Sequence, residues 1–531
     1  MSIKHQTVPM PEKKITYKKG PKGTLYVYYT IRAYRNAQGK PTSDEISIGK
    51  KDLETGRLIP NDNYFQHVPE PVVAGIPKKI KNYGNSYILY ELAKKLGIEK
   101  ILRNCFEGDW QLIMTIACYM ICEGNVMMYL PDWCETTYTV LLKRHETIKS
   151  SELFSKISYE SRLKFFSEWI KLRREQEYIA YDVTSISTHA TGIDIAEWGY
   201  NRDKESLAQI NLGMYLGQTS KLPVFYNTYS GSIADKSHLS FMLENTKALG
   251  IDNIRFVLDR GFLTQDNLKY MHENNYPFIV PFVSSRVEAS KIVNQVKSNL
   301  RRAVNWMSEV SLYGTCIDYE IYDIKLKAHV FFCPDKCADE EKRLYTQIAE
   351  LEAELEKMTK PKKITKKYTQ LFKIEEESDI SLHYERNYSK IDELLQQAGY
   401  FVFLTTDSDC MPAELIQTYR GRDGIEKAFD NLKNELDFKR LRTHLSNTTD
   451  GKVFVAFIAL IVRSYLQSQI KQHHKAKKLT VQKVLLELTK IKLVTLNDGT
   501  NTLMPLTKTQ KTILEALDVS AQAMLKSIEA R

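Results

Sequence analysis

The sequence has few of the features that mark secreted or zinc-binding proteins. It contains only eight cysteines among 531 residues, and no secretory signal pattern opens it. We therefore expect a reducing cytoplasm and no disulfides. Two cysteine pairs are closely spaced, Cys118 with Cys122 and Cys333 with Cys337, but neither has a second pair or a set of histidines beside it. A structural zinc site is therefore not favoured.

Long hydrophobic runs are also absent. The longest apolar run covers residues 453–462 and ends at Arg463, whereas a membrane-spanning helix needs roughly 20 apolar residues. The run predicts a buried core helix, and we expect no membrane partner. With 43% hydrophobic and 26% charged residues, the composition is that of an ordinary soluble protein, and the length predicts roughly two to four domains.

The excess of positive charge is mild. A net charge of +10 and a pI near 8.9 over so long a chain give weak support for a polyanionic partner. Local lysine clusters are more informative because each can follow a run of phosphates. The open alternative is a solvated surface or a helix C-terminus. The clusters lie at residues 13–19, 78–81, 360–367 and 471–478.

One segment carries most of the chemical information. Tyr419, Arg422, Glu426 and Lys433 are spaced by three, four and seven residues, which places them within an arc of roughly 60° on an α-helix. A glutamate can bind a divalent cation, and cationic side chains can hold an anionic backbone, so this stripe suits phosphate and metal. The alternative is a solvated face with Glu-to-Lys pairing. The neighbouring arc of the helix would face a hydrophobic core, and it is formed by Ile425, Phe429, Leu432 and Leu436.

The spacing Y-(2)-R-(3)-E-(6)-K resembles the signature of bacterial insertion-sequence transposases of the DDE class, in the YREK group. The resemblance implies two further aspartates upstream, each on a hydrophobic strand. Asp182 lies near the centre of the β-type run 177–187. Asp259 directly follows the apolar run 254–258 and precedes a glycine turn. Asp182, Asp259 and Glu426 are therefore the expected catalytic and metal-binding triad.

The resemblance also implies a mechanism. Three carboxylates can hold two divalent cations about 4 Å apart, one activating the nucleophile and one stabilising the leaving oxygen. Hard oxygen ligands suit Mg²⁺, with Mn²⁺ as a substitute. Arg422 and Lys433 would hold phosphates at the DNA end and Tyr419 would hydrogen-bond one of them. The expected partners are double-stranded DNA, both terminal inverted repeats and target, and a second copy in a homodimeric synaptic complex at the bacterial nucleoid.

The implied fold is a mixed α/β arrangement: an RNase H-like catalytic core interrupted by a β-plus-helical insertion. The 167 positions between Asp259 and Glu426 require such an insertion, and heptad-like leucines after residue 340 predict a helical hairpin that turns at residues 360–361. The expected domains are a β-rich N-terminal unit available for DNA contact (1–75), a helical DNA-binding region (76–175), the first part of the core (176–270), the insertion (271–398), the second part of the core (399–470) and a basic helical C-terminal tail (471–531).

Several local details complete the prediction. In the helical region, Ser86 is expected to cap a helix that stops at Gly97. Asp203, in a loop between the two aspartates, is interpreted as one half of a surface ion pair. Two positions depart from the family pattern: Asp423 replaces a common Trp, and Lys452 replaces the His of a common Gly-His pair. Two alternative functions stay open, a metal-dependent nuclease on the same fold and an inactive DNA-binding relic.

Overall fold

The structure is a computed structural model that describes residues 7–8, 10–68, 77–142, 149–173, 178–248, 255–282, 287–357, 365–378 and 381–529. The chain divides into two compact units. One comprises Met1–Ile80, Leu493–Met504 and Ile528–Arg531, and the other comprises Lys81–Lys492 and Pro505–Ser527.

The first third of the chain contains a small sheet followed by helices. Its elements are β1 (Ile15–Lys19), β2 (Leu25–Arg35), β3 (Pro41–Lys51), β4 (Leu58–Pro60), α1 (Asp62–His67), β5 (Pro77–Asn82), α2 (Gly84–Lys95), α3 (Ile98–Cys105), α4 (Trp110–Glu123), α5 (Leu130–Thr136), α6 (Ser150–Lys156) and α7 (Tyr159–Arg173).

The middle third alternates strands and helices. Its elements are β6 (Tyr178–Thr188), β7 (Ala208–Gly217), β8 (Pro223–Ser230), α8 (Asp235–Ala248), β9 (Arg255–Val257), α9 (Gln265–Glu273), β10 (Phe278–Phe282), α10 (Val287–Leu300), β11 (Trp306–Met307), β12 (Leu312–Ile321) and β13 (Ile324–Phe332).

The last third is mainly helical. Its elements are α11 (Pro334–Leu355), α12 (Lys366–Thr369), β14 (Phe372–Ser378), β15 (Ser381–Arg386), α13 (Tyr388–Gln397), β16 (Tyr400–Thr405), α14 (Pro412–Arg420), α15 (Asp423–Asp430), α16 (Ser446–Gln472), α17 (Val481–Thr489), β17 (Lys492–Leu496), β18 (Asn501–Leu503), α18 (Lys508–Ala516) and α19 (Ala521–Glu529).

The N-terminal strands β1 to β4 form an antiparallel sheet in sequential order. The predicted β-rich unit contains the long strand β2, whose inward residue Val27 packs with Ile48, Leu58 and Tyr64. Aromatic and basic residues share the exposed face, where the ammonium of Lys18 lies 4.2 Å from the ring centroid of Tyr28.

The predicted helix start at Ser86 is wrong. Helix α2 begins at Gly84, so Ser86 lies inside it and its hydroxyl donates to the carbonyl of Tyr138 at 2.7 Å. Gly84, the first residue of α2, packs directly on the backbone of Leu488, where a Cβ would lie 2.2 Å from the carbonyl oxygen. The predicted stop is present, since Gly97 follows α2 with φ of +79°.

A nine-stranded sheet organises the second unit, in the order β11-β12-β13-β16-β10-β9-β6-β7-β8. Strands β6, β9 and β10 run parallel to one another, while β7 and β8 continue from β6 as an antiparallel meander. Strand β6 is buried along nearly its whole length, as expected for a strand with both faces covered. The mixed α/β architecture is compatible with an RNase H-like core.

The strands assigned to the insertion are continuous with this sheet. Strand β16 pairs with β10 on one edge and with β13 on the other, so β12 and β13 extend the sheet and do not form a separate layer. What stands apart is the stretch from α11 to α13, which has its own apolar cluster: Ile348, Leu351, Leu355, Tyr368, Leu371, Phe372 and Ile391.

The predicted helical hairpin is not formed in the described residues. Its first arm is α11, and its predicted turn at 360–361 lies outside the described residues. After the turn the chain forms only the four-residue helix α12 and then the antiparallel hairpin β14–β15. The apolar residues Phe372 and Ile374 alternate with polar ones, which favours a strand.

Helix α16 contains the apolar run and forms the centre of the helical core. By length and composition it could cross a membrane, but 78% of its most apolar window is buried inside the protein. The prediction of a buried core helix is confirmed. Gly451 allows α6 to approach closely, because a Cβ there would lie 2.0 Å from the carbonyl oxygen of Phe154.

The C-terminal tail is not purely helical, so that prediction is wrong. Strand β17 pairs with β18 through a turn at Gly499, whose φ is +86°, and also with β5. The Asp498-Gly499 dipeptide is a hairpin signal that follows the β-branched residues Val494 and Thr495.

Candidate active site

The two predicted aspartates come together through the pairing of β6 with β9. These strands are parallel, with Ala180 opposite Val257. Two residues further along, Asp182 and Asp259 therefore lie at neighbouring positions, one inside β6 and one just beyond the end of β9. Both line the same cavity of about 350 Å³.

The segment 419–433 is not the single helix that its spacing predicts. Helix α14 ends at Arg420, α15 begins at Asp423, and a π-helical turn covers Asn431–Glu435. The junction is tightened by short-range hydrogen bonds, including one from the Arg422 N–H to the Tyr419 carbonyl at 3.0 Å. Gly421 and Gly424 weaken helical continuity at this point.

Arg422 connects the three predicted catalytic carboxylates. Its guanidinium lies 3.2 Å from Asp182 and 2.6 Å from Glu426, and a longer contact of 3.9 Å reaches Asp259. The Arg422 side chain is only 12% exposed. All three acidic residues therefore share one cation at the junction of α14 and α15.

Asp182 has the most buried carboxylate of this cluster. Desolvation raises its pKa, although the Val183 N–H donates to it at 2.8 Å and the Arg422 charge acts in the opposite direction. Loss of water penalises the ionised form of a carboxylate. Asp182 is therefore the group that most needs a cation beside it.

The chemistry of these residues fits a divalent cation. Three carboxylates supply hard oxygen donors, which Mg²⁺ and Mn²⁺ prefer, and each already contacts a positive charge. In the part of the chain that the structure describes, however, no three acidic, histidine or cysteine side chains are arranged to hold a metal ion as they stand. The Arg422 guanidinium lies among the three carboxylates.

Lys433 does not face the other signature residues in an open groove. It is 10% exposed, and its ammonium lies 2.6 Å from the carboxylate of Asp203. Asp203 was expected to belong to a surface pair; it is paired, but its partner is a buried residue of the signature. The π-helical turn that carries Lys433 is itself anchored by Arg463 of α16, which hydrogen-bonds Asn431 at 3.3 Å and pairs with Glu435.

Tyr419 packs against the sheet. Its ring centroid lies 4.5 Å from that of Phe403, and burial raises the pKa of its phenol. Arg422 and Lys433 are ion-paired and Tyr419 is half-buried. The DNA contacts expected of these three residues stay a prediction, and they require each residue to leave its present partner.

Arg202 and Asp235, which no sequence pattern marked as functional, both line the cavity beside Asp182. Arg202 pairs with Asp235 at 2.5 Å and also donates to the carbonyl of Val183, and Asp235 accepts a hydrogen bond from Tyr229 at 2.9 Å. The signal for Asp235 was the polar, glycine-punctuated stretch at 231–237. The close approach at Gly231, where a Cβ would lie 2.2 Å from the carbonyl oxygen of Gln209, explains its glycine.

Comparison with known proteins identifies one family. The model of the transposase DDE domain matches residues 173–462. No curated protein matches the sequence. Among solved structures, the piggyBac transposase synaptic complex with hairpin DNA, determined by cryo-EM, is similar over 84% of this chain and 75% of that chain, with 10% identity and a TM-score of 0.33. That similarity is too weak to support an inference.

Proposed function

This chain belongs to the family of transposases with a DDE domain, and we propose that it is a YREK-group enzyme of a bacterial insertion sequence that cuts and joins DNA at the ends of its element. The observation that carries the proposal is the sharing of one guanidinium, that of Arg422, by Asp182, Asp259 and Glu426. Acidic residues gathered from two strands and a helix are costly unless a cation joins them.

The proposed metal ligands are Asp182, Asp259 and Glu426. The family generally uses divalent metal ions, and we propose Mg²⁺, with Mn²⁺ as a substitute. When bound, two such ions supply an activated nucleophile and a stabilised leaving oxygen for phosphodiester cleavage and strand transfer. The polar surroundings of the cavity, especially Arg202 and Asp235, would hold the acidic residues in position.

Arg422 has two possible partners in this mechanism. Its guanidinium can pair with the carboxylates, as it does here, or with a phosphate of bound DNA, which accepts the same fork of N–H donors. When DNA takes Arg422, the three acidic side chains lose their shared cation and become available as ligands. Binding of DNA and filling of the carboxylate site would therefore favour each other.

We propose further that double-stranded DNA with terminal inverted repeats is the substrate and that two copies of the chain hold paired ends. The β-rich N-terminal unit and the helical region that follows it would contribute DNA contacts. Support for the first comes from exposed tyrosines beside lysines: Lys51 lies 5.7 Å from the ring centroid of Tyr17, which is 46% exposed.

Cleavage and joining of DNA that carries the inverted repeats flanking the gene would test the function. We expect nicked and joined products with Mg²⁺ or Mn²⁺ and none with EDTA, and Glu426→Gln should abolish both products while leaving DNA binding intact. The matched control is Glu414→Gln, since Glu414 is an exposed residue of α14 that makes no ion pair with any described residue.

Three results would contradict the proposal in different ways. Cutting without any joined product would make the protein a nuclease. Tight binding of the ends without cutting by the wild type would make it a DNA-binding relic. Equal activity of the wild type and Glu426→Gln would mean that Glu426 is not a catalytic residue.

A further inference from the structure

A second cavity lies beside the signature helices and shares no lining residue with the carboxylate cavity. Its volume is about 390 Å³, and it is formed by the α14–α15 junction, the C-terminal half of α16 and the turn after β7. Four cationic side chains and a single acidic one line it: Lys221, Arg420, Lys427, Lys471 and Asp423. We call this cavity the basic pocket.

Two positive charges of the basic pocket, those of Lys427 and Lys471, are exposed. Lys427 and Lys471 make no ion pair with any residue in the described ranges. Arg420 makes one long contact, 3.5 Å to the carbonyl of Val310, and Lys221 donates to the carbonyl of Gly421 at 3.3 Å. Exposed like charges around one cavity repel each other, and an anion that enters the cavity relieves the repulsion.

One wall of the pocket is polar and braced. Asn431 and Gln467 hydrogen-bond each other across 3.0 Å, and Asn431 is held in addition by the buried Arg463 at 3.3 Å. Ser464 and Ser468 add hydroxyl groups to the same wall. Such a wall presents hydrogen-bond donors and acceptors to a ligand with several oxygens.

The position of the basic pocket links it to the carboxylate cluster through neighbouring residues. Arg420 lines the pocket, while Arg422, two residues on, contacts the carboxylates. In the same way Lys427 lines the pocket, while Glu426 pairs with Arg422. Residues only one or two positions apart at the α14–α15 junction thus reach the basic pocket and the carboxylate cluster.

We propose that the basic pocket binds backbone phosphates of the DNA on which the enzyme acts, and so holds the strand beside the carboxylate cluster. The proposal rests on the proposed function. Neither Lys427 nor Lys471 is among the signature residues, and their contribution is a sequence-independent contact with phosphate that positions the DNA.

The test is the salt dependence of DNA binding by the full-length protein. Fluorescence anisotropy would measure the affinity for a labelled terminal-repeat duplex between about 50 and 200 mM salt, in EDTA so that no cleavage occurs. Lys427→Gln with Lys471→Gln should weaken binding at every salt concentration and lower the slope of log affinity against log salt by about 2. Each single variant should lower it by about half as much.

A matched double variant controls for the loss of charge. Lys508→Gln with Lys511→Gln removes the same charge from an exposed face of α18 and should leave the slope unchanged. A slope for the pocket variant equal to that of this control would overturn the proposal. Thermal melting of both proteins would verify that each is folded.

A free anion such as inorganic phosphate is the alternative ligand for the basic pocket. If inorganic phosphate, added at constant ionic strength, raises the melting temperature of the wild type but not of the pocket variant while the DNA slope stays unchanged, the pocket takes a free anion and the DNA assignment fails. The cleavage assay separates this outcome from failure of the proposed function. Cutting by the wild type, together with an unchanged slope for the pocket variant, would contradict only the DNA-binding role of the pocket. A reduced slope without any cutting would support that role and contradict the transposase function.

Discussion

The ammonium of Lys433 lies 2.6 Å from the carboxylate of Asp203, and this pair joins the π-helical end of the signature segment to the loop that precedes β7. The same loop is fastened to β6 by Asn201, which donates to the hydroxyl of Ser187 at 3.0 Å. This ion pair therefore ties the signature segment to the loop before β7, and it occupies the lysine that the signature would offer to DNA.

Separating this pair should distinguish a structural lysine from a DNA-binding one. Asp203→Asn leaves Lys433 without its partner, which should lower the melting temperature because a buried charge loses its compensation. If Lys433 also reaches phosphate, the same variant should bind DNA more tightly at low salt, since the ammonium is released. Melting and anisotropy on Asp203→Asn, Lys433→Gln and the double variant would measure both effects.

The double variant supplies the internal control for this pair. Its melting temperature should exceed the value expected from adding the two single losses, because the singles share one interaction. Additive losses would mean that the pair is not coupled, and unchanged DNA affinity of Asp203→Asn would leave Lys433 with a structural role alone.

Removal of Arg422 should change metal binding in the absence of DNA. In Arg422→Ala the three carboxylates lose their shared cation, so we expect the metal-free protein to be destabilised by about 3 kcal/mol, as for other broken buried pairs. Mn²⁺ should then raise the melting temperature of the variant more than that of the wild type. Calorimetric titration with Mn²⁺ would give the matching increase in affinity.

Arg343→Gln, at an exposed position of α11, is the control for the arginine variant and should respond to Mn²⁺ as the wild type does. Equal or weaker Mn²⁺ binding by Arg422→Ala would show that the guanidinium does not compete with the metal.

The buried lysine of α16 should make stability depend on pH. Lys452 is 1% exposed, its ammonium lies 3.4 Å from the carbonyl of Arg442, and burial lowers its pKa to about 7. The Arg442 charge lowers it further, while Asp437 acts in the opposite direction. Between this pKa and the ordinary value near 10.5, the unfolded chain binds a proton that the folded chain does not. The contribution of Lys452 to the free energy of unfolding therefore rises with pH, by about 1.4 kcal/mol per pH unit.

Lys452→Met should therefore raise the melting temperature most at pH 7 and below, where the folded protein holds a buried charge. The advantage should shrink steadily towards pH 10. Melting curves of both proteins at several pH values would give this difference, and Lys508→Met, at an exposed position, should show no such trend. An advantage that does not change with pH would mean that folding does not lower the pKa of Lys452.

Sequence patterns predicted the elements that carry the site better than the way they join. The strands around Asp182 and Asp259 and the apolar helix α16 are present where the hydrophobic runs placed them. The continuity of the signature helix was wrong, because spacing alone does not register the effect of two glycines. The insertion strands were assigned to a separate domain, since nothing local shows that β16 pairs on both of its edges.

The amino-acid sequence by itself determined which residues can do chemistry and on which elements they lie, because hydrophobic period and residue spacing are local properties. Only the tertiary structure decided their partners. Arg422 meets Asp182 across 240 positions of sequence, and Lys433 meets Asp203 across 230. Ion pairs form between groups that packing brings within about 4 Å, and no local pattern encodes which distant residue will be there.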